Sequence, residues 1–162
     1  MNKPSRTTIA SLALAASTLV GIASYEGYSD RAIIPIPGDV PTIGFGTTTG
    51  VKPGDTITPQ RALVHLLDDA GKSEKAVKGC VTAPLYPYEF AAFVSLAYNI
   101  GGTAFCASTL VKKANAEDYA GACKEILRWD RAQGRQVRGL TIRRQAEYQQ
   151  CMGGEINATL GH

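Results

Sequence analysis

The sequence predicts an α+β fold: a small β-region near the N-terminus, followed by a helical bundle and preceded by a weakly hydrophobic N-terminal helix. Three observations predict it. From Glu26 to Asp55 the chain is crowded with glycine and proline, with β-formers between them. From Thr58 onward apolar residues recur at helical spacing in one segment after another. Ahead of both, the run from Thr7 to Tyr25 carries no charge. A length of 162 residues suits one domain with a hydrophobic core.

Composition narrows the class. A hydrophobic content of 44% is that of an ordinary globular protein, and a mean hydropathy of −0.06 excludes a polytopic membrane protein. The net charge of +3 suits attraction to anionic envelope polymers and falls short of a nucleic-acid footprint. Cys80, Cys106, Cys123 and Cys151 form no C-x-x-C pair, and His65 and His162 have no ligand cluster around them. That argues against zinc, and neither a metal nor an organic cofactor is expected. An even cysteine count in an exported chain reads as two disulfides, with three connectivities open.

Lys3 and Arg6 precede the uncharged run, which is near the roughly 20 residues that a bilayer-spanning helix needs. Alanine, serine, threonine and glycine dominate it, so such a helix would insert weakly. The basic residues ahead of it place the N-terminus inside and the rest of the chain across the membrane. Three readings stand: a cleaved signal peptide with small residues around Gly21-Ile22-Ala23, a buried core helix, or a retained anchor that later leaves the bilayer. Cleavage at Ala23 would remove the helix that could hold Glu26. A chemical role for Glu26 therefore goes with retention.

Next, Pro35, Pro37, Pro41 and Pro53 and the glycines among them forbid a long helix. Short strands are expected at Ala32–Ile36 and Thr42–Gly46, joined by a turn at Pro37-Gly38-Asp39. Thr58-Pro59 starts a helix carrying Leu63, Leu66, Leu67, Ala70 and Val77 at helical spacing. A second helix runs from Pro87, with Phe90, Phe93, Val94 and Ala97 on one face, and stops at Gly101-Gly102. Shorter helices are expected near Ser108–Ala114 and Asp118–Trp129. A last one spans Leu140–Met152 and ends at Gly153-Gly154. The tail from Glu155 to His162 shows no packing pattern and is expected to fray. The expected organisation is thus an N-terminal segment over residues 1–25, a catalytic domain over 26–154, and a tail over 155–162.

Cleaving a glycosidic bond requires a proton donor at the leaving oxygen and, on the opposite face of the sugar, a carboxylate or a positioned water. Glu26 stands where an apolar helix meets a small sheet, a partly desolvated place suited to holding a proton. Asp39 lies in the turn ahead of Thr42, which opens a Thr-Ile-Gly-Phe-Gly segment whose glycines let a polysaccharide approach the backbone.

The run Glu26-Gly27-Tyr28 with Thr42-Ile43-Gly44-Phe45-Gly46-Thr47 resembles the catalytic signature of phage-type lysozymes. Tyr98-Asn99-Ile100-Gly101 and Ser108-Thr109-Leu110 are similar to that family's substrate-cleft helix and the turn after it. Arg128-Trp129, Gly139-Leu140 and Arg143-Arg144 with Glu147 match its C-terminal helices. With the weak N-terminal segment, the likeness is to signal-anchor-release endolysins of bacteriophages or prophages.

The resemblance implies a lysozyme-like fold, and Glu26 in the place of the general acid. Thr42 takes the place of the threonine that helps hold the attacking water. The family's aspartate usually stands near Pro35 or Ile36, where this chain has no carboxylate. With one extra residue in the turn, Asp39 takes that place, and Asp30 is the next candidate. Gly46-Thr47 replaces the family's glycine-histidine. Tyr98, Asn99, Gly101 and Ser108 would contact substrate. The likeness also implies Cys123–Cys151, which leaves Cys80–Cys106. Trp129 is expected in the core. The basic residues Lys124, Arg128, Arg131, Arg135, Arg138, Arg143 and Arg144 are expected mostly on a solvated helical face, one or two of them in buried ion pairs.

The implied activity is hydrolysis of the β-1,4 bond between N-acetylmuramic acid and N-acetylglucosamine in peptidoglycan glycan strands. It would take place in the host periplasm, after release from an inner-membrane tether, and cause host lysis. The rivals are a lytic transglycosylase on the same scaffold and a non-catalytic peptidoglycan-binding protein.

Overall fold

The computed structural model describes residues 5–35 and 37–154. The expectation for the tail after residue 154 falls outside them. The described residues form two compact units: one lies within residues 15–72, and the other joins residues 5–14 to residues 73–154.

In the first unit, α1 (Ala16–Glu26) leads directly into β1 (Ser29–Ile33). Gly27, at φ +69°, ends the helix, a conformation that glycine adopts without penalty. β1 pairs antiparallel with β2 (Thr42–Gly44), Ser29 opposite Gly44 and Ile33 opposite Thr42, with an irregular register between. The expected first strand, Ala32–Ile36, lies three residues too late. Pro35 and Pro37 have no N–H for a ladder, so pairing stops at Ile33, and Ile36 is outside the described residues. The first part of α2 (Pro59–Cys80) completes this unit, burying Ala62, Leu66 and Ala70, and the helix then continues into the second unit.

The second unit is a helical bundle around α3 (Pro87–Ile100). Pro87 opens this helix, and the Glu89 carboxylate accepts the Tyr86 N–H at 2.8 Å, satisfying one donor of its first turn. Every residue from Glu89 to Ala97 is buried, as expected of a helix surrounded by others. α4 (Gly102–Cys106), α5 (Thr109–Asn115), α6 (Tyr119–Glu125) and α7 (Arg138–Cys151) follow. Phe93 and Phe105 pack ring to ring at 5.9 Å in the core, with Leu96, Leu110, Ile126 and Val81 around them. Trp129 packs on this core as expected. Disulfides join Cys80 to Cys106 and Cys123 to Cys151, the pairing that the resemblance implied.

Three features depart from the sequence reading. The glycine pair that ends α3 also starts a further helix, α4. A hairpin, β3 (Arg131–Ala132) with β4 (Arg135–Gln136), turns through Gln133 and Gly134 at positive φ. Arg131 and Arg135 are therefore solvated on a hairpin and not on a helix, while Arg143 and Arg144 are buried.

The third departure concerns the uncharged run, which is not one helix. Thr7 is paired to Leu85, Ile9–Ser11 forms a single 3-10 turn, and the backbone is extended at Leu12 and Ala15 before α1 begins. The Ser11 hydroxyl donates to the Thr8 carbonyl at 2.8 Å, a local bond that competes with continuous helix. Among the described residues, no helix is long and apolar enough to cross a membrane.

Candidate active site

In the first unit the site begins with Glu26, the last residue of α1, half-buried. Its position follows from the glycine stop at Gly27, which turns the chain into β1. The Thr-Ile-Gly-Phe-Gly-Thr segment folds into a closed turn in which Ile43 and Thr47 exchange two backbone hydrogen bonds, each 3.0 Å. Gly44 and Gly46 within it both have positive φ. A Cβ on Gly46 would lie 3.3 Å from Glu26 Oε2, so this glycine's bare backbone is the wall against which the carboxylate rests. A Cβ on Gly44 would meet the Ala62 Cβ at 3.0 Å, which explains how closely the turn seats on α2.

Thr42 starts β2 and its hydroxyl donates to the Ile33 carbonyl at 3.3 Å, leaving its oxygen able to accept from a further donor. Asp39 is exposed in the turn after Pro37, and its Oδ1 accepts the N–H of Val40 at 2.9 Å. Asp30 lines a separate cavity of about 560 Å³ with Thr47, Arg61 and His65 among its walls, and neither Glu26 nor Asp39 borders it. Tyr28 packs on Phe45 with ring centres 5.4 Å apart and donates its hydroxyl to the Ile57 carbonyl, bracing the turn.

In the helical unit, Tyr98 is half-buried and Asn99 exposed in the last turn of α3, which Gly101 ends at φ +88°. Asn99 Oδ1 accepts from Arg144 Nη1 at 3.0 Å. Arg144 is held in turn by Glu147, which also accepts from Arg143 Nε at 3.1 Å and from the Ser95 hydroxyl at 2.7 Å. Ser108 is a buried N-cap whose hydroxyl accepts the Val111 N–H at 3.3 Å. The sequence reading missed the support of Asn99 by Arg144 and the seat that Gly46 provides for Glu26. Both are long-range contacts without a local signal.

The family model for phage lysozyme matches residues 23–147. The chain belongs to the phage lysozyme family. This lysozyme is 38% identical to the endolysin of Acyrthosiphon pisum secondary endosymbiont phage 1 over 133 residues, 80% of this chain and 90% of that one. It is 36% identical to the SAR-endolysin of Pseudomonas phage phiKMV over 156 residues, 94% of this chain and 93% of that one. Among solved structures, the endolysin from Escherichia coli O157:H7 phage FAHEc1 superposes with a TM-score of 0.77 at 33% identity, covering 88% of this chain and 94% of that one. The fold is lysozyme-like, and membership makes the chain a glycoside hydrolase of the lysozyme type with peptidoglycan as substrate.

Proposed function

We propose that this lysozyme is an endolysin that hydrolyses the β-1,4 bond between N-acetylmuramic acid and N-acetylglucosamine, with Glu26 as general acid. The observation that carries the reading is the Glu26 carboxylate at the end of α1, seated against Gly46 of the glycine turn. Glu26 donates its proton to the glycosidic oxygen as the bond to the anomeric carbon breaks. A water on the opposite face attacks that carbon and gives its proton to Asp39, with the Thr42 hydroxyl helping to hold the water. The product is inverted, and the two carboxyl groups of such a pair stand roughly 6.5–9.5 Å apart to admit the water. Tyr98, Asn99 and Gly101 contact the glycan, and Ser108 holds the start of α5 beside them in sequence.

The same proposal places the enzyme in the host periplasm after a tethered stage. Lys3 and Arg6 ahead of an uncharged run support an orientation with the N-terminus inside, and the name SAR-endolysin among the relatives fits it. Residues 1–25 are the tether, 26–154 the catalytic domain and 155–162 a tail. The deciding experiment is lysis of outer-membrane-permeabilised Gram-negative cells by wild type and Glu26→Gln, with mass analysis of the glycan ends. Lysis lost in the variant and reducing ends from the wild type are expected. Anhydro ends would make the enzyme a transglycosylase, and lysis that survives Glu26→Gln would remove Glu26 from the mechanism.

A further inference from the structure

Ahead of α1, the chain is fastened to the helical unit through Arg6. Arg6 presents Nη2 and Nε to the two oxygens of Glu89 at 2.8 and 3.1 Å. The Glu89 side chain is 3% exposed, and its Oε2 also accepts the Tyr86 N–H, so the first turn of α3 fixes the carboxylate independently of Arg6. The guanidinium carbon lies 3.6 Å from the centre of the Tyr119 ring and 4.3 Å from that of Tyr86. A planar cation with a fork of donors suits a carboxylate edge between ring faces, whereas an ammonium offers neither plane nor fork. Docking continues past Arg6. Thr7 and Leu85 exchange two backbone hydrogen bonds of 3.0 and 2.9 Å, Leu12 is buried in the core, and Ile9 and Leu14 pack against it.

We infer that Glu89, Tyr86 and Tyr119 form a guanidinium-binding box whose ligand is Arg6, and that filling this box locks the released N-terminal arm onto the helical unit. The locking step rests on the tether-and-release reading; the box rests on the contacts alone. The two locations of the arm exclude each other, because Thr7 to Leu14 cannot lie in a bilayer and also hold Leu85 and the core. While the arm is inserted, Glu89 lacks its cation and the core lacks Leu12, and docking relieves both penalties.

The test uses the full chain. Glu89→Gln keeps an acceptor for the Tyr86 N–H and leaves the N-terminal segment unaltered, so helix start and membrane insertion are preserved. Glu89→Gln and Tyr119→Leu are expected to lower the soluble fraction of expressed protein several-fold in favour of the membrane fraction. Arg6→Ala is expected to lower the Tm of the soluble form, with methylguanidinium restoring it and methylammonium at equal concentration leaving it low. Arg6→Lys is expected to behave like Arg6→Ala. Equal rescue by the two cations, or an Arg6→Lys variant that melts with the wild type, would overturn the box. An unchanged soluble fraction in Glu89→Gln would overturn the locking role. If the wild type never enters the membrane fraction, the tether reading fails and the locking role with it, while the methylguanidinium melt still decides the box.

Discussion

Arg144 and Glu147 meet Nε to Oε2 at 2.8 Å, the arginine fully buried and the glutamate 2% exposed. One carboxylate thereby answers two buried guanidiniums, because Arg143 reaches the same side chain. Glu147→Gln keeps the shape and removes the charge, and removing one partner of a buried pair costs about 3 kcal/mol or more. Urea unfolding should show a loss of this size, and with Asn99 in its proposed contact with the glycan, KM should rise as its partner Arg144 loses its anchor. A loss below about 1 kcal/mol would mean that this buried pair contributes no more than an exposed one.

Gly46 can be tested against a matched control. Gly46→Ala adds both the strain of φ +89° and a methyl 3.3 Å from Glu26 Oε2. Gly50→Ala adds similar strain at φ +75° with nothing within 4 Å. Both variants should lose stability of about 1 kcal/mol or more. With Glu26 in its proposed role as general acid, only Gly46→Ala should lose kcat, by on the order of tenfold, since small displacements of a reacting group are costly. Equal kcat in the two variants would separate Gly46 from the chemistry.

The proposed tethered stage predicts the behaviour of a more apolar segment. Ser17 is exposed, and a Cβ on Gly21 would meet nothing within 4 Å, so Ser17→Leu with Gly21→Leu leaves the folded enzyme room for both side chains. The double variant should accumulate in the membrane fraction and delay lysis, because leucine favours insertion. Unchanged lysis timing would count against a membrane stage.

Glu125 sets a pH signature. Its carboxyl is held below the ordinary carboxylate value, first by the hydrogen bond from Lys113 at 2.7 Å and then by that from Arg128. A depressed value means that the contribution is fully present above the unfolded carboxyl's pKa, about 4.3, and is lost as pH falls through the folded value. Glu125→Gln should therefore melt below the wild type at pH 7, with the gap narrowing below about pH 4 and closing in stronger acid. The difference stays small, since Lys113 is partly exposed. A gap that is constant with pH would assign the effect to packing.

The parts of this fold that were legible in the sequence are those decided by neighbours along the chain. Proline at the start of α3 and that helix's apolar face are local codes, and each lies close to where it was read, whereas α2 forms as expected but leaves Leu63 and Leu67 exposed, and the strand expected to run from Thr42 to Gly46 stops at Gly44, where the glycines turn the chain. The hairpin at Gln133-Gly134 had a local code too, a positive-φ pair, but its two-residue strands carry no alternation to betray them. The break in the N-terminal run escaped because its cause is remote: Arg6 finds Glu89 across 83 residues, and Leu12 finds a core built from the far end of the chain. Glu26 and Thr42 stood out through their motif, whereas the partners that fix Glu26 and Asn99 in place are distant in sequence.

Both disulfides begin at or after Cys80, so Glu26, Thr42 and the whole arm from Arg6 lie on chain that no covalent cross-link restrains. Under tension applied at its N-terminal side, the molecule would unravel through Glu26 while the stapled helices held. A thread drawn through a pore or pulled from a bilayer in that direction would lose and regain the Glu26 corner without disturbing a single sulfur bond.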